Sequence, residues 1–123
     1  MPTLSLRIDL DRRGRIGPGK IELLEHIDAR GSISAGARQM GMSYKHAWDL
    51  IEDLNGMIGK PVVAAQPGGK NGGGAELTSI GIAVVGRYRA IERAVADSVA
   101  AQLAALQAEI DSGSAIANTA ITD

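Results

Sequence analysis

The sequence predicts a mainly α fold with a small β component. Three observations predict it. Apolar residues recur every three or four positions over most of the chain, the period of a helix. Two short runs with strand character flank a glycine-rich loop, "QPGGKNGGGAELT" at residues 66–78, and make a hairpin there. Beyond that loop a single apolar stripe continues from Ile80 to Ile110. The chain has 123 residues, the size of one domain or of one domain with an appendage. It contains no Phe, one Trp and two Tyr, so its core must be built from Leu, Ile, Val, Ala and Met, which suits helices and an oligomer interface.

The elements follow in order. "LSLRIDL" alternates Leu4, Leu6, Ile8 and Leu10 with Ser5, Arg7 and Asp9, the pattern of a half-buried strand. "DRRGRIGPG" reads as a turn region, with Pro18 placed to start a helix. In "KIELLEHIDARG" the stripe is Ile21, Leu24 and Ile27 with Asp28, and Gly31 is a C-cap. In "SISAGARQMG", Ser32 or Ser34 caps a short helix, Ile33, Ala37 and Met40 face inward, and Gly41 ends it. Ser43 caps the next helix, predicted over residues 43–55, with Ala47, Trp48, Ile51, Leu54 and Ile58 at helical spacing. "PVVAAQ" and "AELT" are the strands of the glycine hairpin. Thr78 or Ser79 caps the last helix, and its stripe is Ile80, Val84, Tyr88, Ile91, Val95, Val99, Leu103, Leu106 and Ile110. So long a stripe exceeds what a small domain can cover, and pairing with a second copy is expected through Tyr88, Ile91, Val95, Val99 and Leu103. The division is 1–78 for the domain, 79–110 for the long helix and 111–123 for a frayed tail.

Composition narrows the function. With no Cys, disulfides and thiolate metal sites are excluded. The N-terminus lacks a signal pattern and no apolar run approaches a membrane span, so a cytoplasmic location with no membrane partner is expected. Net charge is −1, but Arg7, Arg12, Arg13, Arg15 and Lys20 outweigh Asp9 and Asp11 near the N-terminus, so a basic face is expected. "GRIGPGK" at residues 14–20 fits the spacing of a phosphate-binding loop. Ile21 stands where the magnesium-binding hydroxyl belongs, and one strand does not make the parallel sheet such loops need, so the segment is a turn into a Pro-started helix. His26 and His46 fall on different helices without metal-ligand spacing. No Ser–His–Asp arrangement and no pocketed carboxylate pair is visible; Asp11, Glu22, Glu25, Asp28, Asp49, Glu52 and Asp53 read as solvated faces or ion pairs. No enzyme activity and no cofactor is expected.

The order of elements is more specific. A short helix, a Gly-containing turn and a helix with a polar N-terminal face form a helix-turn-helix, and a glycine hairpin follows directly. That is a winged helix-turn-helix. Its second helix fits the major groove of double-stranded DNA, with Ser43, Tyr44, Lys45 and His46 on the leading turn. The glycines then let the loop main chain approach phosphates, Lys70 supplies charge and Asn71 tolerates left-handed geometry. The bland reading is a loose hairpin tip.

"GSISAGARQMGMSYKHAWDLIEDLN" followed by "GGKNGGGAELTSIG" resembles the N-terminal DNA-binding domain of the molybdate-responsive transcription regulators, the ModE family, over about residues 4–96. The resemblance implies a winged helix of bacterial, LysR-like type that dimerises and reads DNA with residues 43–55, the wing assisting. It maps the family pattern onto Ser43, Tyr44, Lys45, Ala47, Trp48, Gly68, Gly69, Lys70, Gly72, Gly73, Gly74, Leu77 and Thr78. Ala47 and Trp48 are core by spacing. Ser32, Ser34, His46 and Asn71 complete the DNA-facing candidates. Full-length members continue into small oxyanion-binding β-barrel modules, whereas this sequence ends at Asp123 without a "SARN"-type motif. Molybdate sensing by this chain is therefore not expected; constitutive action, a signal from a protein partner or an unknown effector are the alternatives. The competing function class is a protein-interaction module that uses the long helix, with the winged helix as scaffold.

Overall fold

The computed structural model describes residues 2–11, 13–66 and 74–113. The elements run β1 (Ile8–Leu10), β2 (Gly14–Ile16), α1 (Pro18–Arg30), α2 (Ile33–Gln39), α3 (Tyr44–Ile58), β3 (Val63–Ala65), β4 (Ala75–Leu77) and α4 (Ser79–Ser112). The fold is mainly α with two small antiparallel hairpins and a long last helix, as expected from the sequence.

The helix starts follow local chemistry. Pro18 opens α1 after an extended Gly17, and Gly31 closes it in the left-handed region at φ 77° while its N–H bonds to the Ile27 carbonyl. Ser32, Ser43 and Thr78 each accept a bond from the amide three residues on, capping α2, α3 and α4. Gly59 ends α3 at φ 81°. The expected helix over 43–55 therefore runs on by one more turn, and Met57 joins Ala47, Ile51 and Leu54 in the core.

Two N-terminal features differ from the sequence reading. The expected strand over residues 4–10 is hydrogen-bonded only at Ile8–Leu10, although exposure alternates along the whole run. Its partner β2 lies inside the segment read as a turn, with Ile8 opposite Ile16 and Leu10 opposite Gly14. Asp11 turns the chain between them at φ 49°. Three residues among glycines and arginines are too few for period 2 to register. A residue added at Gly14, where φ is 130°, would place its Cβ 2.9 Å from the Met57 sulfur, so the hairpin backbone lies directly on the end of α3.

The core is formed by Ile21, Leu23, Leu24 and Ile27 of α1 against Ala37, Ile51, Leu54 and Val62, with Leu77 closing one edge. Leu23, absent from the predicted stripe, is fully buried. A Cβ at Gly36 would stand 2.7 Å from Ile27 Cγ1, so glycine there lets α2 approach α1. Two carboxylates read as solvated have structural partners. Asp28 Oδ1 accepts from the Leu77 amide at 3.1 Å and fixes β4 to α1. Glu25 takes Arg89 in two bonds of 3.1 and 2.7 Å, and Arg89 also donates to Glu92 at 2.8 Å, which fixes the start of α4 to α1. These bonds, Glu25 first, raise the Arg89 pKa above its already high ordinary value.

Tyr88 corrects the expected subunit interface. It is 2 % exposed within a single chain, and its hydroxyl donates to the Leu6 carbonyl at 2.7 Å. It belongs to the domain's own core and anchors the N-terminal segment to α4. Burial first, then the Glu92 charge, pushes its pKa up. The helix itself ends at Ser112, two residues past the boundary expected for the tail, and the rest of that tail lies outside the described residues.

Candidate nucleic-acid interface

α2 and α3 pack against each other across the turn at Met40–Ser43, where Gly41 adopts φ 68°. The turn is closed by the Met42 amide, which bonds to the Ala37 carbonyl at 3.0 Å. This fixes the leading end of α3. Ser43, Tyr44, Lys45 and His46 are all exposed there, while Ala47 is buried directly behind them and Trp48 is half-buried. Of the two residues assigned to the core by spacing, Ala47 is fully inside and Trp48 lies at the margin.

Each exposed side chain is presented differently. The Ser43 hydroxyl accepts from the His46 amide at 3.0 Å, so it is used as a cap. The amides of Tyr44 and Lys45, in the first turn, have no intrahelical acceptor and stand at the positive end of the helix dipole. Tyr44 is 52 % exposed and meets Trp48 edge-on, with ring centroids 6.3 Å apart. Among the described residues Lys45 is held by Asp49 at 3.2 Å in a solvated i,i+4 pair, an interaction weak enough to be exchanged for another anion. The His46 side chain is free to solvent.

The wing stem is tied to the same region. β3 and β4 pair with Val63 opposite Leu77 and Ala65 opposite Ala75, and Gln66 N–H extends the ladder to the Gly74 carbonyl at 2.8 Å. The Ala75 amide bonds to the Gly31 carbonyl at 2.8 Å, so the stem is fastened to the end of α1. At its other end the Thr78 amide bonds to the Val62 carbonyl, and a Cβ on Gly81 would fall on that same carbonyl oxygen. Glycine at 81 is therefore what lets α4 start beneath the wing.

Between these parts runs an open cleft of about 390 Å³, lined by Ser32, Ser34 and Tyr44 on one side and Gln66, Gly74 and Ala75 on the other. The structure thus brings together four of the residues singled out from the sequence: Ser32, Ser34, Tyr44 and Gly74. Gln66 was missed; its only signal is position, as the last polar residue of the stem before the glycines. Gly68, Gly69, Lys70, Asn71, Gly72 and Gly73 lie outside the described residues.

Of the expected basic face, Arg12 lies outside the described residues, and Arg7, Arg13, Arg15 and Lys20 do not line this cleft. Arg7 and Arg15 are on the first hairpin and both meet Asp9, while Arg13 donates to the Met57 carbonyl at 3.4 Å. Met57 is at the opposite end of α3 from Ser43, about 20 Å away at 1.5 Å per residue. Residues 14–20 form β2 and the start of α1, and Lys20 bonds to the Arg15 carbonyl at 2.9 Å, so the segment has the geometry of a hairpin entering a helix. Among the described residues no three His, Cys, Asp or Glu side chains stand close enough to hold a metal ion, and no helix is long and apolar enough to cross a membrane.

No family model matches the chain. Individual proteins do. It is 50% identical over 88 residues to the molybdenum-pterin-binding protein MopB of Rhodobacter capsulatus, covering 71% of this chain and 33% of that protein. It is 39% identical over 87 residues to the molybdenum transport protein ModE of Azotobacter vinelandii, covering 71% and 32%. It is 42% identical over 83 residues to the DNA-binding transcriptional dual regulator ModE of Escherichia coli K12, covering 68% and 32%. The chain spans about a third of the length of the curated relatives it matches. The resemblance carried by the helix-turn-helix and glycine motifs therefore holds: more than two thirds of this chain is similar to part of the ModE-type and Mop-type proteins.

Proposed function

We propose that this chain is a sequence-specific DNA-binding regulator of the ModE type that acts as a homodimer. The leading turn of α3 enters the major groove, and the glycine wing lies on the flanking backbone or minor groove. The observation that carries the reading is the cleft that joins Ser32, Ser34 and Tyr44 to the wing stem at Gln66 and Gly74. A helix end with free amides and a hairpin fastened beside it form two contact points on one surface, as a groove and its adjacent phosphates require. Of the relatives, one is named a DNA-binding transcriptional regulator, which supports the same reading.

Two copies would read paired half-sites about 34–36 Å apart. The long stripe of α4 supplies the means of pairing, since Ile91, Leu106 and Ile110 are 38 %, 51 % and 56 % exposed. The same exposure favours a second reading, a protein-interaction module in which α4 docks on a different protein. Fluorescence anisotropy with a promoter library across a salt series separates the two. Sequence-selective binding that weakens steeply with salt supports the regulator; indifference to DNA at low salt, with a stable hetero-complex, supports the module.

A further inference from the structure

The cleft between the helix-turn-helix and the wing stem has walls held by backbone bonds. The Ala75 amide bonds to the carbonyl of Gly31, the residue before Ser32, and the Gln66 amide bonds to the Gly74 carbonyl, both at 2.8 Å. On the facing wall the Met42 amide bonds to the Ala37 carbonyl and the Ser43 hydroxyl caps α3, so Tyr44 begins its helix from a set position. Three polar side chains from three parts of the fold border the space: Ser34 of α2, Tyr44 of α3 and Gln66, the residue after β3. All three are exposed, and each can donate a hydrogen bond.

The charge of the lining is selective. None of the residues that line this cleft is charged. Gln66 stands on a rim shared with a second cleft of about 350 Å³, which runs along Gly31, Ala64, Gly74 and Glu76 and so includes a carboxylate. An acceptor-only anion meets donors in the first cleft and a like charge in the second. The position of the first cleft says which anion. The DNA-binding reading puts the leading turn of α3 in the major groove and the wing on the flanking backbone or minor groove. On a duplex, one sugar–phosphate strand separates a major groove from the neighbouring minor groove. The cleft separates the same two parts of the protein.

We infer that the cleft clamps one sugar–phosphate strand of the duplex through uncharged donors, the Ser34 and Tyr44 hydroxyls and the Gln66 side-chain amide. The inference rests on the DNA-binding reading above and gives the cleft a task separate from base reading: contacts to phosphate oxygens fix the register of the protein and carry no sequence information. Such a clamp adds affinity with little salt dependence, because counterion release follows the number of phosphates neutralised by Lys or Arg. Its signature is therefore the opposite of that expected for Lys70.

Ser34→Ala, Tyr44→Phe and Gln66→Ala each remove one donor at an exposed position, where substitution leaves stability nearly unchanged, and Tyr44→Phe keeps the ring beside Trp48. Fluorescence anisotropy reads binding to two probes, a duplex selected by the wild-type protein from a random-sequence library and an unselected random duplex, across a salt series. Each variant should bind both probes about tenfold more weakly, as the loss of a hydrogen bond to a charged group predicts, with the slope of log K against log salt unchanged. Gln66→Lys should set a charge against the same strand and steepen that slope by about 0.9 for each subunit bound. Unchanged affinity in the three donor deletions, or an unchanged slope in Gln66→Lys, would overturn the clamp while DNA binding stands. A loss confined to the selected duplex would also overturn it, in favour of base contacts. Failure of the wild-type protein to bind either duplex at low salt would overturn the DNA-binding reading and the clamp together.

Discussion

Tyr88→Phe is the most informative single change for the architecture, because it deletes one atom. The Tyr88 hydroxyl donates to the Leu6 carbonyl at 2.7 Å from a side chain that is 2 % exposed. A hydrogen bond of this kind contributes about 0.5–1.5 kcal/mol net, and leaving the Leu6 carbonyl without its partner adds part of its desolvation cost. Leu6 is half-buried, so water recovers some of that. The expected loss is about 1–2 kcal/mol, or roughly 3–10 °C in Tm for a domain of this size. The pH dependence supplies a second readout. Burial raises the folded-state pKa of Tyr88 above the ordinary value near 10. For a group whose folded pKa is raised, the stabilisation is complete below the unfolded pKa and is lost as pH rises through the folded one. The stability gap between wild type and Tyr88→Phe should therefore be constant near neutrality and narrow above about pH 10. Groups common to both proteins cancel in that difference. Thermal melts across pH 7–11 test it. A Tm change below about 1 °C, with parallel alkaline limbs, would show that the hydroxyl does not hold the N-terminal segment.

The remaining predictions concern function. Lys70→Ala should weaken binding about equally on all DNA sequences and flatten the slope of log K against log salt by about 0.9 for each phosphate no longer neutralised; an unchanged slope removes Lys70 from the interface. Lys45→Ala or His46→Ala should cost about 1–3 kcal/mol on the cognate site and less on random DNA if that side chain reads a base edge. Equal losses on both would make it a backbone contact. Ile91→Glu with Val95→Glu should dissociate the dimer, with DNA affinity falling alongside it, since both glutamates would be buried unpaired; analytical ultracentrifugation reads the outcome directly. Calorimetry on this chain should give no molybdate signal beyond that of sulfate. The Ser32, Ser43 and Thr78 hydroxyls already cap their own helices and are not free to converge on an oxyanion. A molybdate Kd below about 1 μM without a matching sulfate signal would reveal a site on the chain.

Features that depend on neighbours in sequence were legible. Ser43 could be named as a cap, and Ser32 and Thr78 each as one of two candidates beside Ser34 and Ser79, because a cap needs only the next three residues; Gly31 was legible because a left-handed helix end favours glycine. The helix-turn-helix followed by a glycine hairpin was likewise readable as an order of elements. The first hairpin was not. Its pairing of Ile8 with Ile16 spans a turn made by Asp11 at positive φ, a conformation that no local preference for glycine marked.

What periodicity cannot supply is the identity of the covering partner. The stripe through Tyr88 and Ile91 established that those side chains need cover, and its length pointed to a second copy. For Tyr88 the cover comes from Leu6, 82 positions away in the same chain. The same gap explains Asp28 and Glu25, whose partners Leu77 and Arg89 are 49 and 64 positions distant. A carboxylate on a helix face looks solvated until the fold brings an amide or a guanidinium to it. The consequence for the interface is specific. Since Tyr88 is spent inside the domain, the proposed subunit contact would draw on Ile91 and the distal positions instead. In the proposed homodimer the burden would fall away from the near end of the predicted interface and toward the far end of the stripe, where Leu106 and Ile110 stand more than half exposed in a single chain.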